Sequence, residues 1–463
     1  MAYGDLLKKY LELDRSSFHV PGHKGNLKFN FLSRLHRLNK AKKLSEFDLT
    51  ELESTDDLYN PGVFVGKIED RLCGLYGSGI SVVSTGGNTL CIQTMLRFFL
   101  PCGGKILIAR NIHKSALNAM ILLKISPIWI NDLPYEQVSV EQVKDSLKRN
   151  KNISAVFITS PDYFGRIADI SKIKKIIGNI PLIVDNAHGA HLKFLNSIDG
   201  RPPMHPIDLG ADACADSAHK TLPVLTGGAW LHISKNVVKN LNFKSKDIKS
   251  FMKNDMSLFG SSSPSFLTLI SIQEFLNLFK FKTYINLSFK KKLEKIKKIK
   301  DKALKFGVLD KSCSDPMRIL LDFSKFCCND KMISEYFFKN KIEPEFVFDK
   351  KVVLISSIFN KNKDFTRLEN ALEYQKLKSE FKARSIFSKK KCFGRALFKI
   401  PIKKSLFLPY KIVKVVYSLG EVSAQVICNY PPGVPFIFPG QLIGIKELKY
   451  LVENNFSYIK VIK

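Results

Sequence analysis

Short apolar runs at residues 80–83, 105–109, 127–130, 154–158, 181–184 and 229–233 recur between about residues 48 and 279, separated by longer stretches with helical spacing. Runs of four or five apolar residues predict strands buried on both faces, and helices between them predict a mostly parallel sheet covered on each side. In such sheets ligands sit beyond the carboxyl ends of the strands. Further on, Ile285, Phe289, Leu293, Ile296 and Ala303 fall mostly three or four apart, with lysines on the opposite face, which predicts a solvated amphipathic helix over 285–304. A smaller α+β region follows, with strands expected at 317–323 and 351–355. Its tail, Tyr430-Pro431-Pro432-Gly433-Val434-Pro435, holds too many prolines for a central strand and reads as a loop of fixed shape. The first forty-odd residues read as a short helix, a loop and a second, basic helix. The expected division is an N-terminal segment 1–47, a large α/β domain 48–279 and a C-terminal α+β domain 280–463 opened by the basic helix.

The 463 residues, 45% apolar and 25% charged, are ordinary for a folded enzyme of two or three domains. No apolar run approaches the roughly 20 residues a membrane helix requires. The start of the chain lacks the layout of a secretory signal, so a cytoplasmic location is the expectation. Nine cysteines, odd in number and without zinc spacing, predict reduced thiols and no metal site, with Cys327-Cys328 as packing. The net charge of +31 changes the picture little. From Ser271 onward there are 39 Lys and Arg against 18 Asp and Glu, so the excess follows the lysine-rich helical segments. It reads as a solvated face before it reads as a nucleic-acid surface.

Candidate chemistry lies at the ends of the predicted strands. The run 80–83 leads into Ser84-Thr85-Gly86-Gly87-Asn88-Thr89 and a helical stretch, a glycine turn whose free N–H groups and helix dipole suit a phosphate. His113 follows the run 105–109, where an imidazole can stack on a flat heteroaromatic ring. Asp185 closes the run 181–184 within Val184-Asp185-Asn186-Ala187-His188-Gly189-Ala190-His191. Lys220 stands in Ser217-Ala218-His219-Lys220-Thr221-Leu222-Pro223, with Ser217 and His219 as further donors. A lysine amine to hold an aldehyde as a Schiff base, and an anion opposite a pyridine nitrogen, are the two requirements of pyridoxal phosphate.

In this order the words resemble those of the ornithine/lysine/arginine decarboxylase family, in its short form, within the fold type I pyridoxal phosphate enzymes. The likeness runs from Phe18-His19-Val20-Pro21-Gly22-His23-Lys24-Gly25 through Asp48-Leu49-Thr50-Glu51, Asp56-Asp57-Leu58, the glycine turn and His113-Lys114-Ser115. It continues through Ser160-Pro161-Asp162-Tyr163-Phe164-Gly165, the Asp185 and Lys220 words, and the tail with Pro439-Gly440. The resemblance implies a fold type I α/β large domain with a smaller C-terminal domain, and decarboxylation of lysine, arginine or ornithine to an amine that is a di- or polyamine precursor. It implies that Lys220 binds the cofactor aldehyde, Asp185 pairs with the pyridinium and His113 stacks on the ring, with His188 beside it near Asp185. Gly87, Asn88, Thr89, Ser217 and His219 would hold the phosphate. Ser262 or Ser263 would reach the phosphate of a neighbouring subunit in a homodimer or larger assembly.

The acidic stretch Asp48, Glu51, Asp56 and Asp57 is one source of carboxylates for a cationic substrate tail; the same residues also read as a helix N-terminus or surface loop. Three places depart from the family pattern: Asn186 and Gln441 stand where an acidic residue is usual, and Gly420-Glu421 with Ala424-Gln425 replace Gly-Arg and Ala-Glu. Two alternatives therefore stay open beside the decarboxylase: another fold type I enzyme, such as an aminotransferase or lyase, and a non-catalytic basic binding protein on this scaffold.

Overall fold

The computed structural model describes residues 12–25, 47–131, 135–196, 198–279, 282–381, 396–428 and 433–463. The two helices expected near the N-terminus, and Tyr430, Pro431 and Pro432 of the tail, lie outside them.

After a short strand β1 (Ser16–Phe18), seven strands form the central sheet: β2 (Ile80–Ser84), β3 (Gly104–Ile108), β4 (Ile125–Trp129), β5 (Ala155–Thr159), β6 (Leu182–Asp185), β7 (Ala213–Asp216) and β8 (Ala229–Ile233). Their spatial order is β2-β8-β7-β6-β5-β3-β4. β8 runs antiparallel to both neighbours, while β7, β6, β5, β3 and β4 pair in parallel. Every predicted run of this region is a strand, displaced by two residues at most; β7, whose small residues Ala213, Cys214 and Ala215 form no conspicuous apolar run, completes the sheet. Alternate residues of each strand enter two different cores. Ile106, Phe157 and Ile183 pack on one face, and Leu107, Val156 and Val184 on the other. Two covered faces are why these strands are apolar throughout, and each fully buried Ile, Leu or Phe contributes about 1.5–3 kcal/mol.

The sheet's orientation sets the site. β2, β3, β5, β6 and β7 all end at one edge, so Ser84, Thr159, Asp185 and Asp216 emerge together as the first polar side chains after apolar runs.

The lysine-rich segment is the helix Lys282–Lys305. Its buried stripe of Ile285, Phe289, Leu293, Ile296, Ile299 and Ala303 joins the largest core, and Lys290, Lys291, Lys297 and Lys298 face solvent. Beyond it, β9 (Arg318–Asp322), β10 (Ile342–Pro344), β11 (Phe346–Phe348) and β12 (Lys351–Ile355) follow. β11, β12 and β9 form an antiparallel sheet, whereas β10 pairs in parallel with β1, Phe18 opposite Pro344. The N-terminal loop is thereby tied to the C-terminal region and held across the central sheet's active edge. Among the described residues the cysteines are unpaired.

Candidate active site

Asp185 is buried at the end of β6, where Asn88 Nδ2 donates to its Oδ1 at 2.9 Å and Ala187 N–H to the same oxygen at 3.1 Å. Burial pushes its carboxyl up to about 6, against the opposing pull of Lys220 and these donors. Lys220 leaves the sheet one strand away, in the single helical turn Ala218–Thr221 after β7. Its Nζ lies 3.2 Å from His188 Nε2 and 5.8 Å from the centre of the Tyr163 ring. Burial lowers the lysine's pKa, partly offset by Asp185 and Glu345. His188 is buried in the turn after Asp185 with the Tyr163 ring edge-on at 4.9 Å. Burial and the neighbouring lysine hold it neutral, and its Nδ1 has no hydrogen-bond partner.

The glycine turn has the anticipated form. Gly87 takes φ +69° and donates its N–H to Gly227 O at 2.8 Å, and the helix Gly87–Phe99 begins without a side-chain cap. Its open N–H groups and dipole leave a place for an anion. Asn88 Oδ1 is buried there with no partner, and Thr89 is exposed on the first turn. His113 caps the helix Lys114–Leu122, its Nδ1 accepting from Ser115 N–H at 3.2 Å. Burial, then Lys220, pushes His113 down to about 3, so the ring is neutral and suited to stacking.

Ser217 is buried beside His219, Oγ to Nδ1 3.4 Å. His219 Nδ1 also donates to Gly228 O at 3.1 Å, and burial pushes this imidazole down to about 4. A neutral His219 that spends its one N–H on Gly228 is a poorer phosphate donor than its sequence position suggests. Ser262 and Ser263 are exposed on a loop whose Ser261 carbonyl accepts from the Tyr59 hydroxyl at 2.9 Å.

Three neighbours carry no signal in the sequence reading as separate site residues. Tyr163 belongs to a family word but was assigned no role. Glu345 comes from the segment between β10 and β11: its Oε2 accepts from Val20 N–H at 2.8 Å. That loop is pinned to the Lys220 turn, Gly22 N–H donating to His219 O at 2.8 Å, and a Cβ on Gly22 would stand 2.6 Å from the Thr221 carbonyl carbon. Arg318, fully buried at the start of β9, donates through Nη1 to Asp162 O at 3.0 Å and Tyr163 O at 2.9 Å. Nothing local to 318 or 345 marks them; only the β1–β10 pairing and the packing of β9 bring them here.

The acidic stretch resolves toward its loop reading. Asp56 accepts N–H bonds from Asp57, Gly62 and Val65, holding the start of the helix Val63–Tyr76, and Asp57 accepts from Tyr59 and Asn60. Two of the three departures also have local partners. Gln441 bridges Phe438 N–H and Glu447, Gln425 accepts from Lys460 N–H, and Glu421 pairs with Lys411 at 2.9 Å. Asn186 donates to Asp216 at 2.6 Å, so a buried carboxylate is present one strand over.

Comparison with known proteins matches residues 3–302 to the family model described as Orn/Lys/Arg decarboxylase, major domain. The chain belongs to this family. It is 24% identical to the arginine decarboxylase of Bacillus subtilis over 472 residues, covering 97% of this chain and 92% of the relative. An arginine decarboxylase of Bacillus cereus is 28% identical over 263 residues, 55% of this chain and 54% of the relative. The solved lysine decarboxylase of Francisella novicida superposes with a TM-score of 0.71 at 15% identity, covering 96% of this chain and 78% of that one. Lysine decarboxylase A of Pseudomonas aeruginosa gives 0.70 at 13% identity, 96% and 77%. The fold is therefore that of the fold type I decarboxylases, and the chain's relatives are amino-acid decarboxylases acting on basic substrates. No helix among the described residues is long and apolar enough to cross a membrane.

The residues present fit the cofactor these enzymes imply. Asn88, which bonds Asp185 and opens an uncapped helix, and His188, which meets the buried Lys220, each carry an orphaned polar atom, Oδ1 and Nδ1.

Proposed function

We propose that the chain decarboxylates arginine, lysine or ornithine with pyridoxal phosphate, and that Lys220, Asp185, His188 and His113 carry the reaction. The observation that supports this most is a buried carboxylate at the end of one strand and a buried lysine amine just past the end of the next, each acting on the other's ionisation. When bound, the cofactor supplies an aldehyde for an amine and a ring that accepts the electron pair left by departing CO2. The remaining work falls to the protein. Asp185 holds a proton on the ring nitrogen, and His113 covers the ring's face. Gly87, Asn88, Thr89 and Ser217 hold the phosphate at the open helix end, with His219 as a weaker contributor.

Lys220 is the nucleophile, its neutral form favoured by burial, and the neutral His188 accepts a hydrogen bond at Nε2 that orients the amine. The packed rings of Tyr163 and His188 keep water from that amine. For the cationic substrate tail we assign Glu345, the carboxylate from the C-terminal region that acts on Lys220. The working unit is proposed to be a cytoplasmic homodimer with Ser262 at the subunit boundary, making amines for polyamine synthesis.

The test is direct. Cofactor-loaded protein incubated separately with lysine, arginine and ornithine should yield cadaverine, agmatine or putrescine by mass spectrometry from at least one, and none with Lys220→Ala. A keto acid with no amine would indicate a different reaction on the same cofactor. No visible absorbance after cofactor addition would remove both.

A further inference from the structure

Asp216 ends β7 fully buried and has no part in the chemistry above. Its Oδ1 accepts from Asn186 Nδ2 at 2.6 Å. Its Oδ2 accepts from His205 Nε2 at 3.0 Å and Trp230 Nε1 at 3.1 Å, with His232 Nε2 at 3.6 Å. One carboxylate thus joins β6, through the residue after Asp185, to β8, through Trp230, and to the segment carrying His205, with His232 alongside.

Two His and one Asp so close raise the question of a metal ion. The donor set argues against one. A histidine bound through Nε2 carries its proton on Nδ1 and donates it to a neighbour; His232 has such a neighbour in Ser81 Oγ at 2.7 Å, but His205 Nδ1 is buried with no partner, so only two of the three groups fit. With the proton on Nε2, pointed at Asp216, that atom is a bare acceptor, the cheaper orphan. Burial opposes ionisation of Asp216, but His205 and His232 overcome it and hold the carboxyl well below the usual range. Asp216 is therefore a buried carboxylate whose neighbours favour its charged form.

Its position gives that anion a purpose. Asp185 and Ala215 are register partners, and Asn186 N–H donates to Ala215 O at 2.9 Å. The Asn186–Asp216 side-chain bond falls just beyond, where β6 gives way to the His188 turn and β7 to the Lys220 turn. Lys220 is only four residues past Asp216, its own N–H donating to Ser217 O at 3.0 Å. The charge of Asp216 is also among the influences that raise the Asp185 carboxyl.

We infer that Asp216 is a positioning residue for Asp185 and Lys220: acting through Asn186, it fixes the ends of β6 and β7 where both side chains leave the sheet. The inference rests on the roles proposed for Asp185 and Lys220.

The test compares wild type, Asp216→Asn, Asn186→Ala and the exchange Asn186→Asp/Asp216→Asn. In cofactor-free protein, hydrogen exchange in peptides covering 185–190 and 213–222 should quicken about tenfold or more in the two single variants, with β3 unchanged. In loaded protein, the pH midpoint of the visible cofactor band should move by about half a unit or more. Amine formation should lose about tenfold in kcat with KM within about twofold. The exchange variant restores the strand-end bond with donor and acceptor reversed, and should recover both exchange protection and most of kcat. If Asp216→Asn does not fold, Asn186→Ala still decides, because it leaves Asp216 its bonds to His205 and Trp230. A fall in thermal midpoint alone, with exchange, pH midpoint and kcat as in wild type, would mean a merely structural residue and overturn the inference. Wild type that takes up no cofactor would overturn the proposed function, while hydrogen exchange would still judge the strand-end link.

Discussion

Lys220 Nζ donates toward His188 Nε2 across 3.2 Å, and burial presses both groups toward their neutral forms. A neutral imidazole at this distance accepts from the amine and fixes its direction. His188→Phe should therefore keep the cofactor's visible band but lose up to about a hundredfold in kcat, the scale of a misplaced reacting group. Lys220→Ala should lose the band and the activity together. Absorbance and CO2 release measured on the same samples separate the two.

Asp185 predicts an inverted pH dependence in the cofactor-free protein. Its folded carboxyl is raised to about 6 from an ordinary 3.8, so its contribution to stability is full below about pH 4 and is lost as pH rises through 6. Asp185→Asn keeps an acceptor for Asn88 and Ala187 and removes the buried charge. It should stabilise the cofactor-free protein at pH 7.5 by on the order of 1–3 kcal/mol, vanishing near pH 4, while weakening cofactor binding. Urea unfolding at the two pH values checks the sign.

Glu345 and Asp56 should behave oppositely. Glu345→Gln should raise KM for the preferred basic amino acid by about tenfold or more, the cost of leaving a substrate cation without its carboxylate. Asp56→Ala should instead cost about 1–2 kcal/mol of stability, as a lost helix-start cap does, with KM unchanged. A raised KM in Asp56→Ala would return tail recognition to the acidic stretch.

Arg318 links β9 to the Tyr163 segment, and lies 3.8 Å from Asp315, which itself accepts from His191 at 3.0 Å. Removing one member of a buried ion pair costs about 3–5 kcal/mol because the other charge stays behind. Asp315→Ala should show that loss in denaturant midpoint, since it strands both His191 and Arg318. Arg318→Met, which leaves Asp315 its histidine, should lose less.

Much of the site was legible because its residues sit where local pattern changes. Asp185 is the first polar residue after a buried run, Gly87 the turn before a helix, and Lys220 the amine in a short word after β7. The basic helix was equally plain, since its apolar stripe repeats every three or four residues. His219 was legible as a site residue but not in its hydrogen bonding, which depends on Gly228 folding back to it. Asp56 and Asp57 were ambiguous because a carboxylate that caps a loop and one that binds a cation look alike in a sequence.

By itself the sequence determined the strand-and-helix succession, the family and the chain positions of the residues proposed as nucleophile and partner anion, all properties of adjacent residues whose polarity and spacing dictate local backbone. Only the tertiary structure decided what surrounds them. Glu345 stands by Val20 because β1 pairs with β10 across more than three hundred residues, and Asp216 meets Asn186, His205 and Trp230 because β6, β7 and β8 lie side by side. Burial and Coulomb interactions act through space, so the protonation of Lys220, His188 and Asp185 is set by neighbours that the order of residues does not name.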